Sequence, residues 1–144
     1  MFNNNGKSAA SVLCQDDKCI VCINKIQDKT GFVTSNVTGL KHDVNQSLTC
    51  QNGGIYVING VCSEQYTGKT VNFGARSKEH FSTSKLSVIH SHKQNCNLCS
   101  STSDFNIKFV ESYLQRGKFS LSEREFLWNG RIKGSMNVQK TLKA

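Results

Sequence analysis

The chain has 144 residues, 37% of them hydrophobic, which suffices for one domain with its own core and leaves no room for a second large one. No apolar run reaches roughly 18 residues, and the N-terminal "MFNNNGKSAASV" lacks the basic-then-apolar order of a secretory signal, so a soluble, intracellular protein without a membrane partner is expected. The formal charge of +8 is one-sided: residues 1–50 hold five Lys/Arg against four Asp/Glu and residues 51–144 thirteen against six, so the field that would attract a polyanion, most often nucleic acid, belongs to the second part.

In chain order, residues 1–13 are polar and Asn-rich and predict a disordered end. Residues 14–50 carry "CQDDKCIVC" and then "GFVTSNVTGLKHDVNQSLTC", which predicts a Cys-rich, zinc-binding extension of short strands around a knuckle. From Gly53 onward the pattern changes to strand (Ile55–Asn59), tight turn, strand (Glu64–Thr67) and helix (Val71–Phe81). A Ser/His/Cys-rich connection follows. Then "FNIKFVESY" alternates as a strand does, "SLSEREFLWNGRI" has helical spacing, and "GSMN" reads as a turn. The expected fold is α/β of the α+β kind, a small, mostly antiparallel sheet flanked by helices, with residues 51–144 as the domain and the extension stapled to it by zinc.

Seven cysteines in a reducing compartment point to metal rather than disulfides, and the odd count would leave one over. Cys19/Cys22 and Cys96/Cys99 each form a Cys-x-x-Cys knuckle, which presents two thiolates from one tight turn, and together they make a tetrahedral Zn²⁺ site. Other partitions stay open: Cys14 or Cys50 with the first knuckle, His90 or His92 with the second, or two ions shared among all of them. The plainer alternative is buried free thiols.

The order "GIY", a second tyrosine ten residues on in "YTG", then Gly74 and "RSKEH", resembles the GIY-YIG endonuclease superfamily. "EFLW" and "GSMN" continue the resemblance. "CIVC" upstream and "LTCQNGGIYVI" are similar to the endonuclease domain of Penelope-like retroelements, over residues 19–137. Two departures stand out. Thr67 replaces the usual aliphatic residue of the second motif, and only Cys62 lies between the tyrosines where those relatives carry two cysteines. The resemblance implies single-metal hydrolysis of DNA leaving a 5'-phosphate. It implies an essential set of Tyr56, Arg76, Glu125 and Asn137, a nuclear location, and a partner reverse transcriptase that primes from the nicked target.

The residue types fit that chemistry. Phosphodiester hydrolysis needs an aligned water, an acceptor for its proton and positive charge against the developing phosphorane. Arg76 is a permanent cation with planar donors, one helical turn before the titratable His80. Glu125 is a hard oxygen ligand suited to Mg²⁺ or Mn²⁺. Tyr56 would accept or orient the proton of water, and Tyr66 would hold the phosphate. Plainer readings accompany each assignment. The tyrosines could be a packed cross-strand pair, Arg76 and His80 a solvated face with Glu79 as partner, and Asn137 a turn residue. Glu125 could be the third residue of a capping box begun by Ser122, with Glu111 as the rival carboxylate. Two other functions compete: a nuclease-like zinc module that binds DNA or RNA without cutting, and a branch-specific repair nuclease, whose zinc domain usually follows the catalytic part.

Overall fold

The computed structural model describes residues 19–44, 47–81, 87–115 and 117–137. The N-terminal segment expected to be disordered, and Cys14 with it, lie outside them. The architecture is α+β, with small antiparallel sheets and helices.

The β-branched run after Gly53 forms β3 (Gly54–Gly60), the middle strand of a three-stranded sheet, between β4 (Gln65–Thr70) and β5 (Phe105–Ser112). Both neighbours are antiparallel, and the register sets Tyr56 opposite Gly68 and Ile58 opposite Tyr66. Because strand side chains alternate, the two tyrosines share one face with Ile58, while Ile55 and Val57 point to the other. A separate hairpin, β1 (Phe32–Thr34) with β2 (Lys41–Asp43), precedes them.

Each face carries a helix. α2 (Phe73–Phe81) covers the tyrosine face, where Phe73 stacks on Phe109 with ring centroids 4.2 Å apart. It starts two residues later than the sequence pattern suggests, because the Asn72 side chain accepts from the Ala75 N–H at 2.8 Å and so caps the first turn. α4 (Leu121–Ile132) covers the other face, with Trp128 and Ile132 packed on Ile55, Val57, Val110 and Val33. A bulge in β5 beside Ile55 and Tyr56 turns both Val110 and Glu111 toward α4.

α1 (Ile20–Asn24) begins directly after Cys19, and α3 (Val88–Asn95) occupies what the sequence offered as an irregular connection. Ser87 accepts from the His90 N–H at 3.1 Å and caps α3. The residues before the sheet are joined to it. The Ile107 N–H donates to Ile26 and the Asp28 N–H donates to Ile107, at 2.9 and 2.8 Å, which covers the open edge of β5. Lys108, 2% exposed, pairs with Asp28 at 3.0 Å and donates to Thr30. Cys19, Val21, Ile26, Leu48 and Cys50 enter the core of the tyrosine face. No helix among the described residues is long and apolar enough to cross a membrane.

Candidate active site and metal centre

The tyrosine face brings together the residues singled out along β3, β4 and α2. The Tyr56 hydroxyl shares a hydrogen bond with Nε2 of His80 at 2.6 Å, both side chains being buried, and the Arg76 guanidinium lies close enough for its charge to act on that hydroxyl. Residues four apart on a helix face the same way, so α2 aims its cation and its imidazole at one phenol. Tyr66 stands T-shaped against His80 with ring centroids 5.4 Å apart. Like Tyr56 and His80 it is buried, and its ring packs against the imidazole.

Burial drives the Tyr56 hydroxyl well above the usual tyrosine range, and the neighbouring Tyr66 pushes the same way. The Arg76 guanidinium opposes both and does not win, so the phenol is protonated at neutral pH. The "YTG" motif has a physical reason here. A Cβ on Gly68 would lie 2.3 Å from the Tyr56 hydroxyl oxygen, so only glycine leaves that oxygen its place.

Arg76 is half-exposed and pairs with Glu79 at 2.6 Å, the partner that the solvated-face reading names. It therefore sits between the buried Tyr56 hydroxyl and the exposed Glu79 carboxylate. Burial works against its charge, but the Glu79 bond and Tyr56 hold it firmly ionised.

The carboxylates on the α4 side separate cleanly. The capping box of α4 is Ser120 with Glu123, not Ser122 with Glu125: the Glu123 N–H donates to Ser120 Oγ at 3.0 Å and the Ser120 N–H donates to Glu123 at 2.7 Å. Glu111 accepts the fork of Arg124 at 2.6 and 2.5 Å and the Trp128 indole N–H at 3.1 Å. Glu125 instead meets the partly exposed Lys69 ammonium at 3.2 Å, and its charge is felt at Tyr56. Lys69, one residue past Gly68, had no signal in the sequence beyond the general basic excess.

Asn137 accepts from the Thr67 N–H at 2.7 Å and donates to the Thr67 carbonyl at 2.9 Å. It closes the free edge of β4 as a strand would, and so braces the strand that carries Tyr66 and Gly68. Gly134 permits this, since a Cβ there would lie 2.2 Å from the Gln65 carbonyl oxygen.

The structure divides the four cysteines of the expected shared zinc site between two clusters. Cys96 and Cys99 join Cys62 and His92, with all ligand atoms within 4.8 Å of one another. Cys62 Sγ and His92 Nε2 are 3.3 Å apart. This three-thiol, one-imidazole set is complete for tetrahedral Zn²⁺ and could hold that ion. Cys62 comes from the β3–β4 turn, His92 from α3, and Cys96 and Cys99 from the knuckle after it, so the set joins the tyrosine hairpin to the helix that follows α2. The centre lies on the wall of a cleft of about 690 Å³. Burial pushes the Cys62 thiol up to about 12, with Cys99 and Cys96 adding to it, whereas the Leu98 N–H holds Cys96 below its ordinary value. His90 takes no part and meets Gln94 at 3.2 Å. Cys19 and Cys22 group instead with Cys50, again within 4.8 Å.

Among the described residues the expected site therefore gathers as Tyr56, Tyr66, His80 and Arg76, with Glu125 and Asn137 on the β4 side, while the cysteines follow the alternative partition, Cys50 with the first knuckle and His92 with the second, to which Cys62 is the one unexpected addition. No family model, curated protein or solved structure matches the chain.

Proposed function

We propose that this protein is a metal-dependent DNA endonuclease of the GIY-YIG type. The observation that carries the reading is the buried hydrogen bond between Tyr56 and His80, capped by a half-exposed Arg76 and flanked by the Glu125 carboxylate. A buried tyrosine and histidine are costly as mere packing, and a guanidinium over them suits a phosphate.

With His80 neutral and its proton on Nδ1, Nε2 accepts from Tyr56. The attacking water forms the new P–O bond and gives a proton to the Tyr56 oxygen, while the phenolic proton passes to His80 Nε2. The P–O3' bond breaks and the 3'-oxygen takes a proton from solvent, leaving a 5'-phosphate and a 3'-hydroxyl. A raised phenol makes a poor resident base and an effective relay, since it never stays ionised. Arg76 donates to the equatorial oxygens, where charge grows in the transition state. Tyr66 keeps the imidazole in plane, and Asn137 keeps β4 in register.

Glu125 fits a Mg²⁺ or Mn²⁺ ion: its carboxylate is 20% exposed, meets one cation, Lys69, among the described residues, and is not locked by an arginine fork as Glu111 is. Such an ion would supply Lewis-acid charge at the scissile phosphate. The biological setting we propose is nicking of target DNA for a mobile element, with a reverse transcriptase as partner in the nucleus.

The test is supercoiled plasmid with and without Mg²⁺. Ion-dependent nicked circles are expected from the wild type, none from Glu125→Ala, and undiminished nicking from Glu123→Ala. Plasmid that shifts on a gel and stays intact would replace the nuclease with a DNA-binding module.

A further inference from the structure

Cys50 connects one sulfur cluster to the helix that carries the phosphate clamp. Its Sγ lies 3.6 Å from that of Cys22, and Cys19 completes the group. Its carbonyl oxygen accepts from the Gly74 N–H at 2.8 Å, and the Asn52 carbonyl accepts from the Phe73 N–H at 2.8 Å. The first N–H groups of a helix have no intrahelical partner, so the segment 50–52 is the seat on which α2 begins. Arg76 follows Gly74 by two residues. The approach is tight, since a Cβ on Gly74 would lie 3.2 Å from the Cys50 carbonyl oxygen and 3.5 Å from its Cβ.

Three clustered thiols have little reason to hold one another. Neutral sulfurs attract weakly, and ionised ones repel. A borderline-soft dication reverses that balance, and three thiolates are a strong donor set for it, supplying three of four tetrahedral positions from the described residues. Lys29 lies close enough for its charge to interact with both Cys50 and Cys22, so it offsets the excess negative charge that three thiolates around a dication would carry.

We propose that Zn²⁺ held by Cys19, Cys22 and Cys50 sets the position of Arg76 by fixing the loop on which α2 starts. The role of Arg76 in this statement rests on the nuclease reading; the coupling from the cluster to Gly74 does not. Zinc here is a positioning device, and its removal lets the first turn of α2 move while the rest of the sheet stays packed.

The test uses the full chain with Cys22→Ser, Cys22→His, Arg76→Ala and the double variant Cys22→Ser/Arg76→Ala. Three readouts are taken: zinc content, amide exchange at Gly74, and single-turnover plasmid nicking with Mg²⁺. Cys22→Ser should lose about one zinc equivalent per chain. Its Gly74 amide should exchange faster, and its nicking should slow about a hundredfold, the scale expected for a clamp displaced by an ångström. Cys22→His, which restores a zinc ligand, should recover all three. On the Arg76→Ala background, Cys22→Ser should slow nicking no further, because the residue it positions is already gone. Full zinc content in Cys22→Ser, zinc loss with unchanged exchange at Gly74, or an effect that multiplies with that of Arg76→Ala would each overturn the proposal. If the wild type does not nick DNA, the nuclease reading falls by itself, and zinc content with Gly74 exchange still decides the coupling.

Discussion

The two faces of strand β3 are built on opposite rules. Toward α4, Ile55 and Val57 meet Val110, Trp128 and Ile132, an aliphatic and aromatic core whose buried charge, Lys108 opposite Val57, is paired with Asp28. Toward α2, the same strand buries Tyr56 against His80 with Tyr66 beside them, so polar atoms sit where a leucine would pack as well. The first arrangement lowers the free energy of folding; the second carries the desolvation of a hydroxyl and an imidazole that their mutual bond only offsets. A face that keeps polar groups without a stability reason is where chemistry is to be sought.

Substitutions on the two faces should therefore break different things. Tyr56→Phe should abolish nicking, by orders of magnitude, and destabilise by only about 1–3 kcal/mol, because it strands His80 without its bond. Adding His80→Leu to Tyr56→Phe should recover that loss, since two apolar partners need no bond, while activity stays absent. Ile132→Ala should cost about 2–5 kcal/mol, the price of a core cavity, with nicking retained below its melting temperature. Denaturant unfolding beside single-turnover cleavage measures both. A double variant much less stable than Tyr56→Phe alone would make the polar pair a structural element.

Arg76→Lys sharpens the same contrast within the site. The half-exposed arginine adds little to the fold, so the variant should melt as the wild type does. A single ammonium cannot reach Tyr56 and two phosphoryl oxygens together, and cleavage should fall by one to two orders of magnitude, roughly the loss for a misplaced electrostatic donor. Binding of uncleaved DNA without Mg²⁺ should change little. Near-normal cleavage by Arg76→Lys would return the residue to the solvated surface.

The tyrosine face was legible in the sequence because it is local: strand alternation fixes the tyrosines on one side, and a four-residue helical step fixes Arg76 over His80. The metal centre was legible in part: the knuckle of Cys96 and Cys99 and the option of His92 stood in the sequence, but Cys62 is a lone cysteine in a turn that no knuckle spacing selects. Helix α3 hid for a related reason. Its sequence "VIHSHKQN" offers only Val88 and Ile89 as apolar anchors, so periodicity is weak, and the signal lay in Ser87 as a cap. The choice between Glu111 and Glu125 turned on Arg124, whose fork occupies one carboxylate and leaves the other to Lys69, a contact that spacing cannot reveal. The capping box began two residues earlier than the Ser122 frame, so Glu123 took the role considered for Glu125.

The α4 face also carries the clearest acid dependence. Burial alone would raise the Glu111 carboxyl, but the Arg124 fork, the Trp128 N–H and the Arg124 charge outweigh it and hold the carboxyl below the ordinary glutamate range. A folded-state value below the unfolded one means stability that is fully present above the unfolded value and is lost as pH falls through the folded one. Glu111→Gln should cost about 1–3 kcal/mol at neutral pH, because Arg124 loses its charged partner. It should also flatten the decline in melting temperature on the acid side. The same change at Glu125, whose ion pair is with the exposed Lys69, should cost little stability at neutral pH while removing Mg²⁺-dependent nicking. An acid limb unchanged in Glu111→Gln would place the protonation event elsewhere.

The smallest expected effect tests whether Arg76 waits for a phosphate. In the free protein Glu79 holds the Arg76 guanidinium at 2.6 Å, and both side chains are substantially exposed. Such a surface pair contributes about 0–1 kcal/mol, so Glu79→Gln should not alter melting measurably. It should still raise affinity for duplex DNA a few fold, about 1 kcal/mol at most, because a phosphate no longer competes with a carboxylate for the same donors. Asp43→Asn on the β1–β2 hairpin makes the same change in net charge at a different exposed position and serves as the control for the general field. Fluorescence anisotropy at two salt concentrations separates the two contributions, since the general field weakens with screening more than a direct contact does. Equal gains in the two variants would mean that only net charge matters and that Arg76 does not meet the DNA.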